Sequence, residues 1–489
     1  MTAVKAEKYV VFVGMGDNGG DGLAIARLIL LANIPVKVFV VEYKDSFSPS
    51  AEVNYNRYLS LGGKCQFITA ASSLEDVFRS VDSDTVIVDA IFGIGLKGSL
   101  PEWIHDCFDA MDAETNGAKA VVAIDVPSGI LFNNVGFEVD THSGQAVVVK
   151  CEYLLTFQTP KLPFFFPEYG HSFQKMVIID IGLEVEHYLY EHQHDEDTLE
   201  NRCHFNYLPE FPTRKRGVHK GNCGHALIIA GSYGKMGAAV LATQATMRSG
   251  AGLVTAHIPK CGYNIMQISV PDAMVSVDEL DDSISALPTD LLKYAAIAVG
   301  PGLGTGQLAT SVVSALLTQC APADMGILLL DADAINILAQ NRELIDDLPV
   351  SAILTPHLKE LERLIGVSVS DSHYTRLIET RKFCHKYLVN VVIKGPYTAV
   401  VCSNGDVYFN SSGNQGLATA GSGDVLTGII TGIFSEGSCL PAQSAIWGCY
   451  IHGLAADIMA ETMGHESITA SKLVDYIGMA FKRVEKRRP

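Results

Sequence analysis

Gly413-Asn414-Gln415-Gly416-Leu417-Ala418-Thr419-Ala420-Gly421-Ser422-Gly423-Asp424-Val425-Leu426-Thr427-Gly428 is mostly small or polar as far as Gly423, then turns apolar in a run that reaches Phe434. The pattern predicts a helix over 425–434, entered from a glycine-serine loop. Such a loop leaves backbone N–H groups bare, lets an anion approach closely and sets it against the positive end of the helix dipole. Asp424 stands at the junction. A carboxylate there suits an N-cap. It also suits a general base beside an anion cradle, freeing a substrate hydroxyl to attack a phosphoryl group.

Upstream, short apolar runs alternate with polar or glycine-rich loops, the pattern of a parallel α/β sheet. Strands are predicted at 226–230, 253–258, 295–299, 326–330, 352–354 and 391–393. The loop after the first carries Gly231 to Ala238, the one after 295–299 carries Gly300 to Gly306, and the one after 326–330 reads Asp331-Ala332-Asp333. Thr355-Pro356-His357 follows 352–354, and Lys394-Gly395-Pro396-Tyr397-Thr398 follows 391–393. Ligands of open α/β sheets gather at the carboxyl ends of strands. Lys394 alone reads as a surface lysine and His357 alone as a helix-start histidine, but five such loops in series predict a site. No G-x-x-x-x-G-K-[ST] occurs in the chain, so a nucleotide would be held by devices other than a P-loop. Arg214 to Gly221 is the main basic cluster, read either as an exposed loop or as a neutraliser of phosphate.

The first half opens on another strand, glycine loop and helix. The run 9–13 reads as a buried strand, and 23–32 as a helix. Between them Gly14, Gly16 and Gly19 satisfy G-x-G-x-x-G, the dinucleotide-binding opening. Asp17 and Asp21 lie where a pyrophosphate would sit, and like charges there weaken phosphate binding. Asn18 and its oxygen-rich neighbours fit a hard monovalent cation and sugar or amide hydroxyls better; the plainer reading is that the two acids cap the turn and helix. Further strands are predicted at 36–41, 85–89 and 120–124, with a last one at 176–181. Asp89 ends the second of these and leads to Gly93-Ile94-Gly95-Leu96-Lys97-Gly98-Ser99; Asp125-Val126-Pro127-Ser128 ends the third. Pro160 to Pro167, bracketed by prolines around Lys161-Leu162 and three phenylalanines, reads as core or interface.

At 489 residues the chain is too long for one ordinary core. A net charge of -18 excludes a nucleic-acid backbone or an anionic membrane as main partner. The 11 cysteines are scattered without a Cys-x-x-Cys pair, which points to reduced thiols in a cytoplasmic protein. No apolar run reaches transmembrane length and no signal peptide is evident. His192-Gln193-His194-Asp195-Glu196-Asp197 lies in an acidic stretch without periodicity, read as a solvated linker rather than a metal site. The expected division is 1–190, a linker at 191–204, and 205–489.

Gly-Ser-Gly-Asp opening a helix after Gly-Asn-x-Gly-Leu-Ala-Thr, together with the three loops of the first half, resembles the bifunctional NAD(P)H-hydrate epimerase/dehydratases over almost the whole chain. The resemblance implies an α/β fold with an N-terminal Rossmann-like three-layer sandwich and a C-terminal ribokinase-like domain. It implies potassium at Asn18, Asp89 and Ser128. Hydrated nicotinamide nucleotide would lie along Asp17, Asn18, Gly19, Gly20 and Asp21, and along Gly93, Ile94, Gly95, Leu96, Lys97, Gly98 and Ser99, with Asp125 as the acid/base that inverts the hydrated ring carbon. In the second half it implies adenine nucleotide, ADP or ATP with magnesium, at Lys394, Gly395, Pro396, Tyr397, Thr398 and Gly423. Ala238, Gly304, His357 and Asp424 would contact the hydrated substrate there, Asp424 as base. The family usually has Asn where this chain has Asp17, Pro-Gly where it has Leu358-Lys359, and often Pro at Gln415. The helical segment that usually precedes the first strand is expected to be mostly missing. Relatives of this kind often form homo-oligomers, with Trp447 to Ala455 a candidate contact face. The other readings are a ribokinase-like small-molecule kinase fused to a Rossmann-like domain, and a nucleotide-sensing or scaffold protein without turnover.

Overall fold

Val10-Val11-Phe12-Val13 is apolar on both faces, and such a strand is stable only where helices cover both sides of its sheet. A computed structural model describes every residue except 1–5, 80, 97, 99, 113–116, 133–146, 184–198, 200–201, 206–207, 212–216, 321–325, 369–371, 438 and 487–489. Lys97, Ser99, the 192–197 cluster and Arg214 to Arg216 therefore lie outside the described residues, as does most of the 191–204 segment. The chain divides into two compact units, Met1–Glu196 with Ser372–Tyr374, and Asp197–Asp371 with Thr375–Pro489.

Among the described residues, the first unit carries seven strands: β1 (Lys8–Val13), β2 (Val36–Val41), β3 (Cys65–Ile68), β4 (Thr85–Ala90), β5 (Ala120–Ile124), β6 (Cys151–Phe157) and β7 (Phe173–Ile179). All pair in parallel, in the order β3-β2-β1-β4-β5-β6-β7. The order reverses between β1 and β4, the switch point where such sheets bind ligands. The first helix begins at Asp17, inside the glycine loop, rather than at Leu23. Close packing explains both the early start and the glycines. A Cβ on Gly19 would lie 1.8 Å from Gly14 O, and one on Gly14 would lie 2.0 Å from Ile91 O.

Among its described residues, the second unit holds ten strands: β8 (Cys203–Phe205), β9 (His225–Ile229), β10 (Leu253–Ile258), β11 (Met274–Val277), β12 (Ala296–Val299), β13 (Ile327–Leu330), β14 (Ile353–Leu354), β15 (Asn390–Ile393), β16 (Ala399–Val401) and β17 (Val407–Phe409). Their order is β11-β10-β9-β12-β13-β14-β15-β16-β17-β8, antiparallel only where β16 meets β15 and β17. The direction of winding changes between β9 and β12. Helix Ser422–Ser435 packs closely on helix Met236–Met247, since a Cβ on Gly428 would come within 2.3 Å of Ala242 O. Trp447 to Ala455 does not face a partner. This stretch of helix Pro441–Met463 is buried throughout, and most of its apolar side chains join one core cluster with Val425, Ile429 and Ile433.

Among the described residues no helix is long and apolar enough to cross a membrane. All 11 cysteines are free thiols.

Candidate functional site

Asp331 and Lys394 directly follow β13 and β15, His357 lies three residues past β14, and an isolated parallel bridge joins His357 to Lys394. Helix Ser422–Ser435 starts against this row. Its N-cap is Gly421, left-handed at φ 87°, and no side chain caps it. Asp424 thus sits in the first turn and is not the N-cap, because glycine alone supplies the positive φ that turns the chain into the helix. The N–H groups of Gly423 and Asp424 donate to no acceptor among the described residues.

Lys394 stands over these amides. A Cβ on Gly423 would lie 3.4 Å from its Nζ. Lys394 is not the surface lysine that local reading allowed: its Nζ is 2.8 Å from Oδ1 of Asp331, whose side chain is 1% exposed. Thr427 Oγ1 donates to the other Asp331 oxygen at 2.7 Å. Burial, the largest single influence, lowers the Lys394 ammonium, but the charge and hydrogen bond of Asp331 together with the Glu360 and Asp424 charges hold the lysine above its usual value. Asp424 is pushed up to about 7, first by burial and then by the Asp331 anion, with Lys394 pulling the other way. A carboxylate poised near neutrality beside a cation and bare amides can take a proton while the amides and cation hold a phosphate.

His357 does begin a helix. Its Nδ1 accepts from Lys359 N at 3.1 Å and Glu360 N at 3.4 Å, while Glu360 returns a carboxylate oxygen to His357 N at 2.9 Å. The capping is complete with Leu358-Lys359 in place of Pro-Gly. The ring keeps an open face beside Lys394, its side chain 51% exposed. Ala238 and Gly304 come together at the β9–β12 switch: Gly304 N donates to Asp333 Oδ2 at 2.8 Å, and a Cβ on neighbouring Gly302 would meet the Ala238 methyl at 3.2 Å. Gly395 to Thr398 form the β15–β16 turn next to Lys394, closed by Thr398 Oγ1 donating to Gly395 O at 3.3 Å.

Three contributors escaped the reading of the sequence. Asp331 and Asp333 were visible as strand-end acids, but not their division of labour. Ala332, held at φ 49°, turns Asp331 toward Lys394 and Thr427, and Asp333 toward Gly304 and Lys235. His452 had no signal in its apolar helix. It is buried, and its Nε2–H donates to Ser422 O at 2.9 Å, fixing the first turn from behind.

The first unit has a cleft of about 870 Å³ at the β1–β4 switch, lined by Asp17, Asn18, Asp21, Gly93, Trp103 and Asp125 among others. Beneath it Asn18 Nδ2 donates to Phe92 O at 3.0 Å, and Phe92 N donates to Ser128 Oγ at 2.9 Å. Ser128 in turn donates its hydroxyl to Asp89 Oδ1 at 2.6 Å and its N–H to Oδ2 at 2.8 Å. Asp89 and Ser128 are buried, and burial lifts Asp89 to about 6 against those bonds. Asn18 Oδ1 is buried without a hydrogen-bond donor. An orphaned amide oxygen tied to a hydroxyl and a carboxylate is an all-oxygen set, the kind that hard cations take.

Neither Asp17 nor Asp21 caps the first helix, whose N-cap is Gly16. Asp17 Oδ1 accepts from Ser48 and Ser50 hydroxyls, which hold its carboxyl below the usual range. Asp21 is pushed up, first by the packing around it and then by the Asp125 and Asp17 charges. Gly93 to Leu96 line the cleft, and Gly98 stands at φ 77° with open space around it. Asp125, also left-handed at φ 63°, is paired with Lys161. The turn read as core is buried from Leu162 to Phe166, but Lys161 points back to the site.

A family model described as NAD(P)H-hydrate dehydratase matches residues 226–478, and one described as YjeF-related protein N-terminus matches residues 1–162. A bifunctional NAD(P)H-hydrate repair enzyme of Moorella thermoacetica is 31% identical, over 99% of this chain and 89% of its own length. One from Coxiella burnetii is 32% identical, over 97% of this chain and 90% of its own. Among solved structures, the ADP/ATP-dependent NAD(P)H-hydrate dehydratase of Bacillus subtilis, co-crystallised with ATP and Mg2+, is 28% identical. It covers 56% of this chain and 94% of its own, with a TM-score of 0.47.

Proposed function

This chain belongs to the family of bifunctional NAD(P)H-hydrate repair enzymes, and we propose that it carries out both reactions on the residues assembled above. The second unit dehydrates the S-form of hydrated NADH or NADPH at the expense of ADP or ATP. The first unit interconverts the R- and S-forms.

One observation supports the dehydratase reading above the rest: a carboxylate at about 7 in the first turn of a helix whose leading amides are unpaired and lie against Lys394. Lys394, the Gly395 to Thr398 turn and Gly423 would hold the nucleotide. Ala238, Gly304 and His357 would seat the hydrated ring. Asp424 would take the proton of the ring hydroxyl as its oxygen attacks the terminal phosphoryl group and the bond to the nucleotide breaks. Phosphate would then leave the ring carbon with its electron pair, expelled by the ring nitrogen, and loss of a proton from the adjacent carbon would restore the dihydronicotinamide. Magnesium arriving with the nucleotide would neutralise phosphate charge.

In the first unit Asn18, Asp89 and Ser128 would hold potassium, whose positive charge would suit a cleft lined by Asp17, Asp21 and Asp125. The Asp17 to Asp21 and Gly93 to Ser99 segments would bind substrate, with Asp125 moving the proton that inversion requires. The free thiols support a cytoplasmic home.

Two measurements test this. Given S-hydrate, magnesium and either ADP or ATP, the protein restores the near-ultraviolet absorbance of NADH; no return with either donor defeats the dehydratase reading. Replacing potassium by lithium slows R-to-S conversion without slowing dehydration of the S-form. Equal epimerisation in both salts counts against the cation site.

A further inference from the structure

Asp125 is anchored on one side only. Its Oδ1 accepts from Phe157 N at 3.0 Å and from Thr156 Oγ1 at 3.4 Å, and is paired with Lys161 Nζ. Oδ2 takes no hydrogen bond from any described residue, and the carboxylate lines the cleft. Lys161 directs its remaining donors to Thr156 Oγ1 at 2.7 Å and Phe157 O at 2.9 Å. A lysine ammonium has three N–H bonds, and here all three have acceptors. Both side chains of the pair are 16% exposed. The turn that carries the lysine is rigidly seated, with Leu162 6%, Phe164 1% and Phe166 5% exposed.

We propose that Lys161 is the positioning residue of the epimerase site: it clamps Oδ1 of Asp125 so that Oδ2 alone is offered to the hydrated ring. This rests on the epimerase reading of the first unit. A buried ion pair is weak support for a stabilising role, since an apolar pair of similar volume would hold the turn as well or better. Aim is what the pair adds. Asp125 leaves β5 in a left-handed conformation, and its χ angles would otherwise be set only by two neutral donors on β6. Because every Lys161 proton is engaged, the lysine acts through Asp125 rather than on substrate.

The test uses the full chain and separates R- from S-hydrate by chromatography with no ADP or ATP present, so that the dehydratase is idle. Lys161→Met is expected to lower epimerase kcat by about 10²-fold, the cost of a misplaced reacting group. KM should stay within about twofold, since the clamp does not touch substrate. Lys161→Arg keeps a cation within reach of Oδ1 and should retain at least roughly a tenth of parental kcat. Both variants should dehydrate S-hydrate with ADP at the parental rate, which reports a folded chain. Lys161→Met turning over within about threefold of the parent, a loss confined to KM, or Met and Arg variants equally slow would each overturn the clamp. A parent protein that fails to interconvert the two forms would overturn the epimerase reading itself.

Discussion

Asp424→Asn should lose at least ~10²-fold in dehydratase kcat, the lower range for a general base, while becoming more stable at pH 8. The two effects share one cause. Burial and the Asp331 anion raise the carboxyl from its ordinary 3.8 to about 7. A folded-state value above the unfolded one means that the group's stabilising contribution is full below about pH 4 and lost as pH rises through about 7. At pH 8 the parent therefore holds an ionised carboxylate in a setting that disfavours it, and the amide variant does not. After allowance for the solvent on its open side, this amounts to about 1–2 kcal/mol, or roughly 2–6 °C in Tm for a unit of this size. At pH 4 the two proteins should melt together. Parental kcat/KM should climb through pH 7 as Asp424 loses its proton. Near-parental turnover by the asparagine variant, or identical melting at pH 4 and 8, would remove Asp424 from the base position.

Lys394→Met should destabilise the second unit by about 3–5 kcal/mol, since it leaves Asp331 charged, 1% exposed and without its cation. Calorimetry should show a fall in Tm of roughly 10 °C. Asp331→Asn added to it should recover most of that loss, because the neutral amide no longer needs the cation and still offers an oxygen to Thr427 Oγ1. Turnover should stay lost in the double variant, since the cation over Gly423 is still missing. Recovery of both stability and activity would show that Lys394 serves Asp331 alone.

The strand positions were legible because each buried strand is a short apolar run closed by glycine or a polar loop. β2, β5 and β10 fall where the pattern put them. β6 was not legible: Cys-Glu-Tyr-Leu-Leu-Thr-Phe interrupts its apolar run with Glu152, which accepts from Val121 N on the neighbouring strand at 2.6 Å. Both key helices begin earlier than composition suggested. Glycine disfavours helix locally; close packing of Gly19 against Gly14 overrides it in the first, and in the second the early turn carries Gly423, where a Cβ would lie 3.4 Å from Lys394 Nζ. On the candidate site, strand-end position marked Lys394, His357 and Asp89, and the junction of glycine loop and helix marked Asp424. Strand-end position could not separate Asp331 from Asp333, because a strained Ala332 makes that choice. Lys161 and His452 lay in apolar company, and only distant partners give them a role.

An inflection near neutrality in a rate profile is usually credited to an imidazole. Here that habit would mislead. His452 is driven down to about 4 by burial, so it is uncharged around neutrality and its grip on Ser422 does not titrate there. His357 is displaced downward as well, by burial first. Of these three groups around the candidate site, the one placed near pH 7 is thus Asp424, an acid that carries no nitrogen. Imidazole-directed reagents such as diethylpyrocarbonate should leave that inflection where it was.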